Sequence, residues 1–252
     1  MVPSHNLDQR SDAMAEILVY TAGCSGAAPY AAKALRRAGI PLVDHLTPDA
    51  THLLLDVPSR EIPKGLLDRL PENITVVGGN LTDPSLDGYR KLDLLKNEEY
   101  LAQNASITAD CAVRVAASRM TRIFSGSNAL VIGWGRIGKC LAGLLKNIGC
   151  SVTVAARKEA DRAILAAMGY DVIDPELLTQ PDQFQLIFNT APAPVLDKKH
   201  LSRCPNTLKI DLASRPGLEG PDVIWARGLP GLYAPESSGN LIAETFIKEV
   251  GS

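Results

Sequence analysis

Short unbroken apolar runs, separated by stretches with helical spacing, organise this chain from residue 16 onward. The first run, Glu16-Ile17-Leu18-Val19-Tyr20, reads as a strand and leads into a turn-rich segment, residues 21–26. Residues 29–38 are rich in Ala and Leu, with basic residues near the end and Gly39 just beyond, which predicts a helix with a C-terminal stop. Leu42-Val43, His52-Leu53-Leu54-Leu55 and Ile74-Thr75-Val76-Val77 are further strand candidates, and a brief helix fits residues 64–70. Strands that are apolar throughout, rather than alternating, belong to a sheet buried on both faces, so a small parallel sheet is expected.

Residues 81–89, rich in Asp, Pro and Gly, read as a boundary. Two helical segments follow, over 97–105 and 108–120, with Thr108 as the N-cap of the second. The alternation then resumes more strongly. Residues 129–132 form a strand that runs into Gly133, and residues 136–147 place Ile137, Leu141, Leu144 and Leu145 on one helical stripe closed by Gly149. Strands fit 151–155, 171–173, 185–188, 207–210 and 223–225, with a helix over 159–168 and a last helix over 237–250. The fold class is therefore α/β: a doubly wound parallel-sheet Rossmann domain plus a smaller, flavodoxin-like N-terminal α/β domain. The expected division is a tail over 1–13, an N-terminal domain over 14–96 that would meet substrate or partner, a linking helical segment over 97–120, the nucleotide-binding domain over 121–235, and a C-terminal helix over 236–252 returning toward the N-terminal domain. No internal repeat interrupts this pattern.

Composition changes the picture little. The 252 residues are 46% apolar, enough for one large or two smaller cores, and 26 basic residues nearly balance 28 acidic ones. The balance argues against nucleic acid and against a polybasic membrane contact. No apolar run approaches the roughly 18–20 residues of a membrane span, and the polar N-terminus lacks a secretory signal, so a cytoplasmic protein is expected. Cys24, Cys111, Cys140, Cys150 and Cys204 form no C-x-x-C pair, and His5, His45, His52 and His200 fall at no ligand spacing, so no metal site is expected. Nothing in the sequence sets the oligomeric state; a homo-oligomer is compatible with it.

The chemistry concentrates at Gly133-Trp134-Gly135-Arg136-Ile137-Gly138, a G-x-G-x-x-G with a strand before it and a helix after it. Gly133 permits the tight turn, Gly135 lets a pyrophosphate approach the backbone, and Gly138 lets helix and strand lie close. The N–H groups that open the helix would then face the phosphates. An NAD site normally carries an acid at the end of the following strand, about 20 residues on. Here Ala155-Ala156-Arg157-Lys158 offers a cationic pair instead, which suits the 2′-phosphate of NADPH. NADP(H) is the expected cofactor.

Several further segments read together with this turn: Asn104 to Ala109, Phe188-Asn189-Thr190-Ala191-Pro192-Ala193, Ile210-Asp211-Leu212-Ala213-Ser214-Arg215-Pro216-Gly217, and Gly228-Leu229-Pro230-Gly231 with Ala234-Pro235. In this order the chain resembles the dipicolinate synthase A-subunit family of spore-forming bacteria, over roughly residues 97–250. It departs from the family at Glu236, where a lysine is usual, and at Leu218, where a second glycine is usual. The resemblance implies an NADP-linked dehydrogenase acting in sporulation, which oxidises a dihydropyridine dicarboxylate to dipicolinate beside a flavoprotein-like B subunit. The wider architecture is similar to that of the D-2-hydroxyacid and alanine dehydrogenases.

Residues that follow strands sit at the carboxyl edge of the sheet, where ligands bind. Asn189 and Thr190 are thus candidates for the nicotinamide ribose or carboxamide, Pro192 shapes an approaching loop, and Ala191, Leu212, Ala213 and Pro230 complete the expected cofactor set. A dicarboxylate needs anion contacts, for which Arg215, a helix start at Ser106 and Thr108, and the last helix start at Ser237 and Ser238 are candidates. Asp211, Ser214 and Tyr233 are the candidates for proton transfer. The alternative is a non-catalytic NADP(H)-binding subunit or regulatory paralogue that has lost the substrate site, a reading that Glu236 favours.

Overall fold

The computed structural model describes residues 17–59, 62 and 65–251. The expected tail over 1–13, Glu16 and the start of the brief helix at Lys64 lie outside the described residues. The chain divides into two compact units, the first formed by Met1–Asn104 with Pro230–Ser252 and the second by Ala105–Leu229.

The first unit carries five strands, β1 (Val19–Thr21), β2 (Leu42–Val43), β3 (His52–Leu54), β4 (Thr75–Gly78) and β5 (Arg90–Asp93), in the order β2-β1-β3-β4-β5. All pairings are parallel, and this is the flavodoxin-like order. Helix α1 (Ala28–Arg37) buries Ala31, Ala32 and Leu35. On the sheet, Leu53, Ile74 and Val76 pack with Leu66, Leu81 and Leu86. The loop after β1 is held by Asp56, whose carboxylate accepts from the N–H groups of Cys24 (2.8 Å) and Ser25 (3.0 Å). Strand β5 is not foreseen by the apolar pattern because Arg-Lys-Leu-Asp has no apolar signature; as an edge strand it needs none. Asp93 at its end accepts from Asn80 and Leu81 N–H, tying β5 to the turn after β4. The expected helix over 64–70 is a single 3₁₀ turn, Leu67–Arg69.

A long helix α2 (Glu98–Ala117) replaces the two helices expected over 97–120. Asn97 caps it, its side chain accepting from Tyr100 N–H (2.8 Å). Thr108 is not an N-cap: no Gly or Pro interrupts residues 98–117, so the backbone continues through it, and Thr108 is buried in mid-helix while Ser106 is exposed.

The second unit holds β6 (Asn128–Ile132), β7 (Ser151–Ala155), β8 (Asp171–Ile173), β9 (Leu186–Asn189), β10 (Leu208–Asp211) and β11 (Val223–Trp225), in the order β11-β10-β9-β6-β7-β8. Counted from β6 this is the doubly wound 3-2-1-4-5-6 order, again wholly parallel. Helices α3 (Arg136–Asn147) and α4 (Glu159–Ala167) connect the strands on one side of the reversal, and a short α5 (Lys198–Leu201) lies on the other. Leu130, Ile132, Ile187, Leu196 and Leu201 are central to the core. A short α6 (Leu229–Tyr233) precedes α7 (Pro235–Val250), and within the first unit α7 packs on α1. The approach is close at Gly239, where a Cβ would stand 2.5 Å from the carbonyl oxygen of Ala27. Lys248 of α7 pairs with Glu99 of α2, and Glu249 accepts from the Asn97 amide (2.6 Å).

None of the described helices is long and apolar enough to cross a membrane. Among the cysteines, Cys111, Cys150 and Cys204 are buried, and burial pushes their thiols up in pKa; Cys24 is exposed, unlike the buried thiols.

His52 on β3 is half-buried, with Nδ1 2.8 Å from Thr51 Oγ1 and its ring edge-on to Phe246 at 5.4 Å. Burial, then the charge of Arg90, lowers its pKa. The unfolded chain therefore takes up the proton first, at a pH near about 6.5. Stability from the neutral ring is complete above that value and is lost as the pH falls through it toward the lower folded pKa. Thermal unfolding across pH 7 to 5 should show this loss, and His52→Gln should reduce it; an identical slope in the variant would exclude His52 as its source.

Candidate dinucleotide site

The turn at Gly133–Gly138 joins a strand to a helix through three glycines. Strand β6 ends at Ile132, Gly133 turns the chain at φ +99°, and α3 begins at Arg136 with Gly135 as its N-cap. An L side chain rarely adopts the Gly133 conformation, and a Cβ there would also stand 2.6 Å from Thr190 Oγ1. At Gly138 a Cβ would lie 2.2 Å from the carbonyl oxygen of Gly133, so this position sets how closely α3 packs on the turn. Gly135 differs: a Cβ added there meets nothing within 4 Å. Space thus opens beside the start of α3, where an approaching pyrophosphate would meet the positive end of the helix. The residues fit a dinucleotide.

Trp134 is half-buried, its ring edge-on to Tyr170 at 6.1 Å with Lys139 Nζ 5.8 Å from its centroid. Arg136 is exposed and Ile137 half-buried beside it.

At the end of β7, Ala156 is buried while Arg157 and Lys158 are exposed. Their side chains make no hydrogen bond or ion pair among the described residues. The backbone beneath them is tied down by a residue that sequence reasoning missed. Nη1 of Arg162, on α4, donates to the carbonyls of Ala156 and Arg157, both at 2.7 Å, and pairs with Asp174 at 2.8 Å. Asp174 follows β8, and its other oxygen accepts from Glu176 N–H (3.0 Å). Spacing in the sequence gives no hint of this cluster, because its members come from three different elements.

The carboxyl ends of β9 and β10 carry a buried polar network that takes in Asn189, Thr190 and Asp211. Asp211 is wholly buried and both its oxygens are filled. Oδ1 accepts from Asn189 Nδ2 (2.9 Å) and Ala213 N–H (3.0 Å); Oδ2 accepts from Gly217 N–H (2.7 Å) and Leu218 N–H (3.0 Å). A carboxylate with four donors and no access to solvent brackets the 212–218 loop, a different setting from the open one expected of a proton-transfer group. Asn189, expected on the nicotinamide, is likewise buried: its amide donates to Asp211 and to the Ala191 carbonyl (3.0 Å), and its oxygen accepts from Ala191 N–H (3.1 Å). Thr190 Oγ1 donates to the Ile132 carbonyl (2.9 Å), bracing the glycine turn from β9. These side chains hold the site's walls.

What the network leaves outside is the loop surface. Ser214, Arg215 and Pro192 are exposed, Ala191 is half-buried, and Leu212 and Ala213 are buried beneath them. The Ala213 carbonyl is occupied by Trp225 Nε1 (3.2 Å) and Arg227 Nη1 (3.1 Å), two further residues that sequence reasoning missed. Pro230, Tyr233, Ser237 and Ser238 belong to the first unit. Tyr233 is 46% exposed at the end of α6; in the first turn of α7, Glu236 and Ser237 are exposed and Ser238 is buried. Ser106 and Thr108, lying inside α2 rather than at its start, present no free helix N–H groups, which removes the reason for expecting an anion there.

No family model matches the chain. The A subunit of dipicolinate synthase from Bacillus subtilis (strain 168) is 30% identical over 197 residues, 72% of this chain and 66% of that protein, just under two thirds of its length. The crystal structure of the dipicolinate synthase A subunit from Bacillus halodurans superposes with a TM-score of 0.78 at 20% identity, covering 95% of this chain and 100% of that one. The transhydrogenase from Sinorhizobium meliloti gives a TM-score of 0.73 at 14% identity, covering 97% and 88%, and so shares the fold. The chain is thus similar over most of its length to dipicolinate synthase A subunits, and it shares with them and with the transhydrogenase a Rossmann-type fold in two α/β units.

Proposed function

We propose that this protein is an NADP-dependent oxidoreductase that oxidises a dihydrodipicolinate-type dicarboxylate to dipicolinate. The observation that carries the reading is the open Gly135 cradle combined with an exposed Arg157-Lys158 pair where an NAD site would carry an acid. The start of α3 would hold the pyrophosphate, Arg157 and Lys158 the 2′-phosphate, and the loops after β9 and β10 the nicotinamide end. A bound nicotinamide supplies the carbon that accepts hydride. The chain's own contribution is positioning: Asp211 and Asn189 hold the 190–193 and 212–218 loops at the sheet edge, and Arg215 offers an exposed cation for a carboxylate. Oxidation of the dihydropyridine releases one proton, and with Asp211 filled, water is its acceptor. The B subunit of a dipicolinate synthase is the expected partner.

Glu236 favours a second reading, an NADP(H)-binding subunit without its own turnover. An exposed acid in the first turn of α7 complements the helix dipole but repels a dicarboxylate. Production of NADPH on adding enzymatically generated dihydrodipicolinate, with and without the B subunit, separates the two. Turnover supports the first; tight NADPH binding with no turnover in either mixture supports the second.

The cofactor assignment has its own test. Titration should show NADPH binding at least about tenfold tighter than NADH, and Arg157→Ala should weaken NADPH about tenfold, roughly one charge-assisted hydrogen bond, while leaving NADH unchanged. Equal affinities in the wild type and no response to the substitution would discard NADP(H).

A further inference from the structure

The loop that carries Arg157 and Lys158 has no regular structure of its own, yet it is not free. Ala156 N–H donates to the Ile173 carbonyl at the end of β8 (3.1 Å), and Arg162 closes the other side by binding the carbonyls of Ala156 and Arg157. The guanidinium and the Asp174 carboxylate are mostly buried, their side chains 23% and 27% exposed. Arg162 therefore does two things at once. It fixes the direction in which residues 157 and 158 leave the strand end, and it neutralises the carboxylate that the end of β8 brings next to that loop.

We infer that Arg162 is a positioning residue for cofactor choice, setting the preference for NADPH over NADH through the Ala156-Arg157 backbone and Asp174. The inference rests on the NADP(H) reading above. The physical case is one of charge and order. With Arg162 removed, Asp174 loses its cation and stands as an uncompensated carboxylate beside the loop. A carboxylate in that neighbourhood repels a 2′-phosphate and accepts from a ribose hydroxyl, which is the arrangement that selects NAD. At the same time two carbonyl oxygens lose their donor and Arg157 loses its fixed base. Both effects weaken NADPH, and neither weakens NADH in the same measure. A merely structural arginine would behave otherwise, since loosening the sheet edge would reduce both affinities together.

The test is the ratio of the NADH and NADPH dissociation constants, read by titration of the full chain with Trp134 fluorescence and by calorimetry. Wild type tests the underlying reading: if it binds neither nucleotide, or both equally, the NADP(H) assignment fails and not the role of Arg162. Given a preference in the wild type, Arg162→Gln should lower the ratio at least about tenfold, mainly through weaker NADPH. Arg162→Gln with Asp174→Asn should recover part of the ratio, because the freed charge is gone although the loop remains untied. Arg162→Lys, which keeps the charge but not the planar guanidinium, should fall between wild type and Arg162→Gln. Should Arg162→Gln fail to fold, the lysine variant carries the test alone through the same ratio. Equal losses for NADPH and NADH in the folded variants, or an unchanged ratio, would overturn the inference.

Discussion

Gly135→Ala should leave the second unit as stable as the wild type while removing most dinucleotide binding. Gly135 sits at φ −81° and ψ −172°, an extended conformation open to any residue, and a Cβ there touches nothing within 4 Å. Stability should therefore change by no more than about 0.5 kcal/mol. The added methyl would occupy the space through which a pyrophosphate reaches the N–H groups of α3. We expect a loss of about 100-fold in NADPH affinity, about 2.8 kcal/mol. Gly138→Ala is the contrasting case. Its Cβ would fall 2.2 Å from the Gly133 carbonyl oxygen, which belongs to a backbone that cannot step aside without moving α3 off β6. Destabilisation of about 3 kcal/mol or more is expected, with binding lost as a consequence. Scanning calorimetry and Trp134 fluorescence together separate the two outcomes. A Gly135→Ala protein that titrates like the wild type would remove the turn from the site.

Asp211→Asn should be the most destabilising single substitution in the second unit outside its apolar core. The four donors bound to the carboxylate would face one amide oxygen and an amide NH₂, so at least one backbone N–H among Ala213, Gly217 and Leu218 is left buried without an acceptor. Breaking a buried charged network in this way costs on the order of 3–5 kcal/mol. Urea unfolding gives the magnitude, and hydrogen exchange at residues 213–218 should show the loop opening first. Ser214→Ala, one position beyond the network and exposed, should change stability little. A stable Asp211→Asn protein with normal exchange and a selective fall in kcat would instead return Asp211 to a role in proton transfer.

Asp211 also shows where reading residues in order reaches its limit. Its position after a strand was legible, and so was the carboxyl edge of the sheet; the orientation of the side chain was not. Oδ1 and Oδ2 are filled by backbone N–H groups that the 212–218 loop folds back to deliver, and by an amide from a different strand, β9. A carboxylate at a sheet edge and a carboxylate inside a loop bracket have the same neighbours in sequence. Asn189 and Thr190 follow the same logic: polar residues at the ends of strands, read as ligand contacts, are turned inward to brace the turn and the loops. Thr108 failed for a local reason, because a threonine caps a helix only where the preceding backbone is not already helical, and residues 98–107 are. Strand β5 went unseen because an edge strand of four residues needs no apolar face.

The apolar periodicity along the chain and the glycine spacing of residues 133–138 were enough by themselves to determine two parallel α/β sheets and the place of a close strand-to-helix turn. Both depend on short-range physics: buried parallel strands must be apolar on both faces, and a strand-to-helix turn that close needs particular glycines at particular intervals. The Arg157-Lys158 pair belonged to that legible part as a composition of charge. Only the tertiary structure decided which polar groups were available to a ligand. The tie from Arg162 to the 156–157 carbonyls and Asp174, and the closure of Asp211 by four donors, join residues from separate elements. Their roles follow from unmet hydrogen-bonding capacity at buried positions, which has no expression in sequence spacing. Of the glycine turn, then, the position and spacing were legible in the sequence, while packing decided that Gly135 alone of its three glycines looks onto open space.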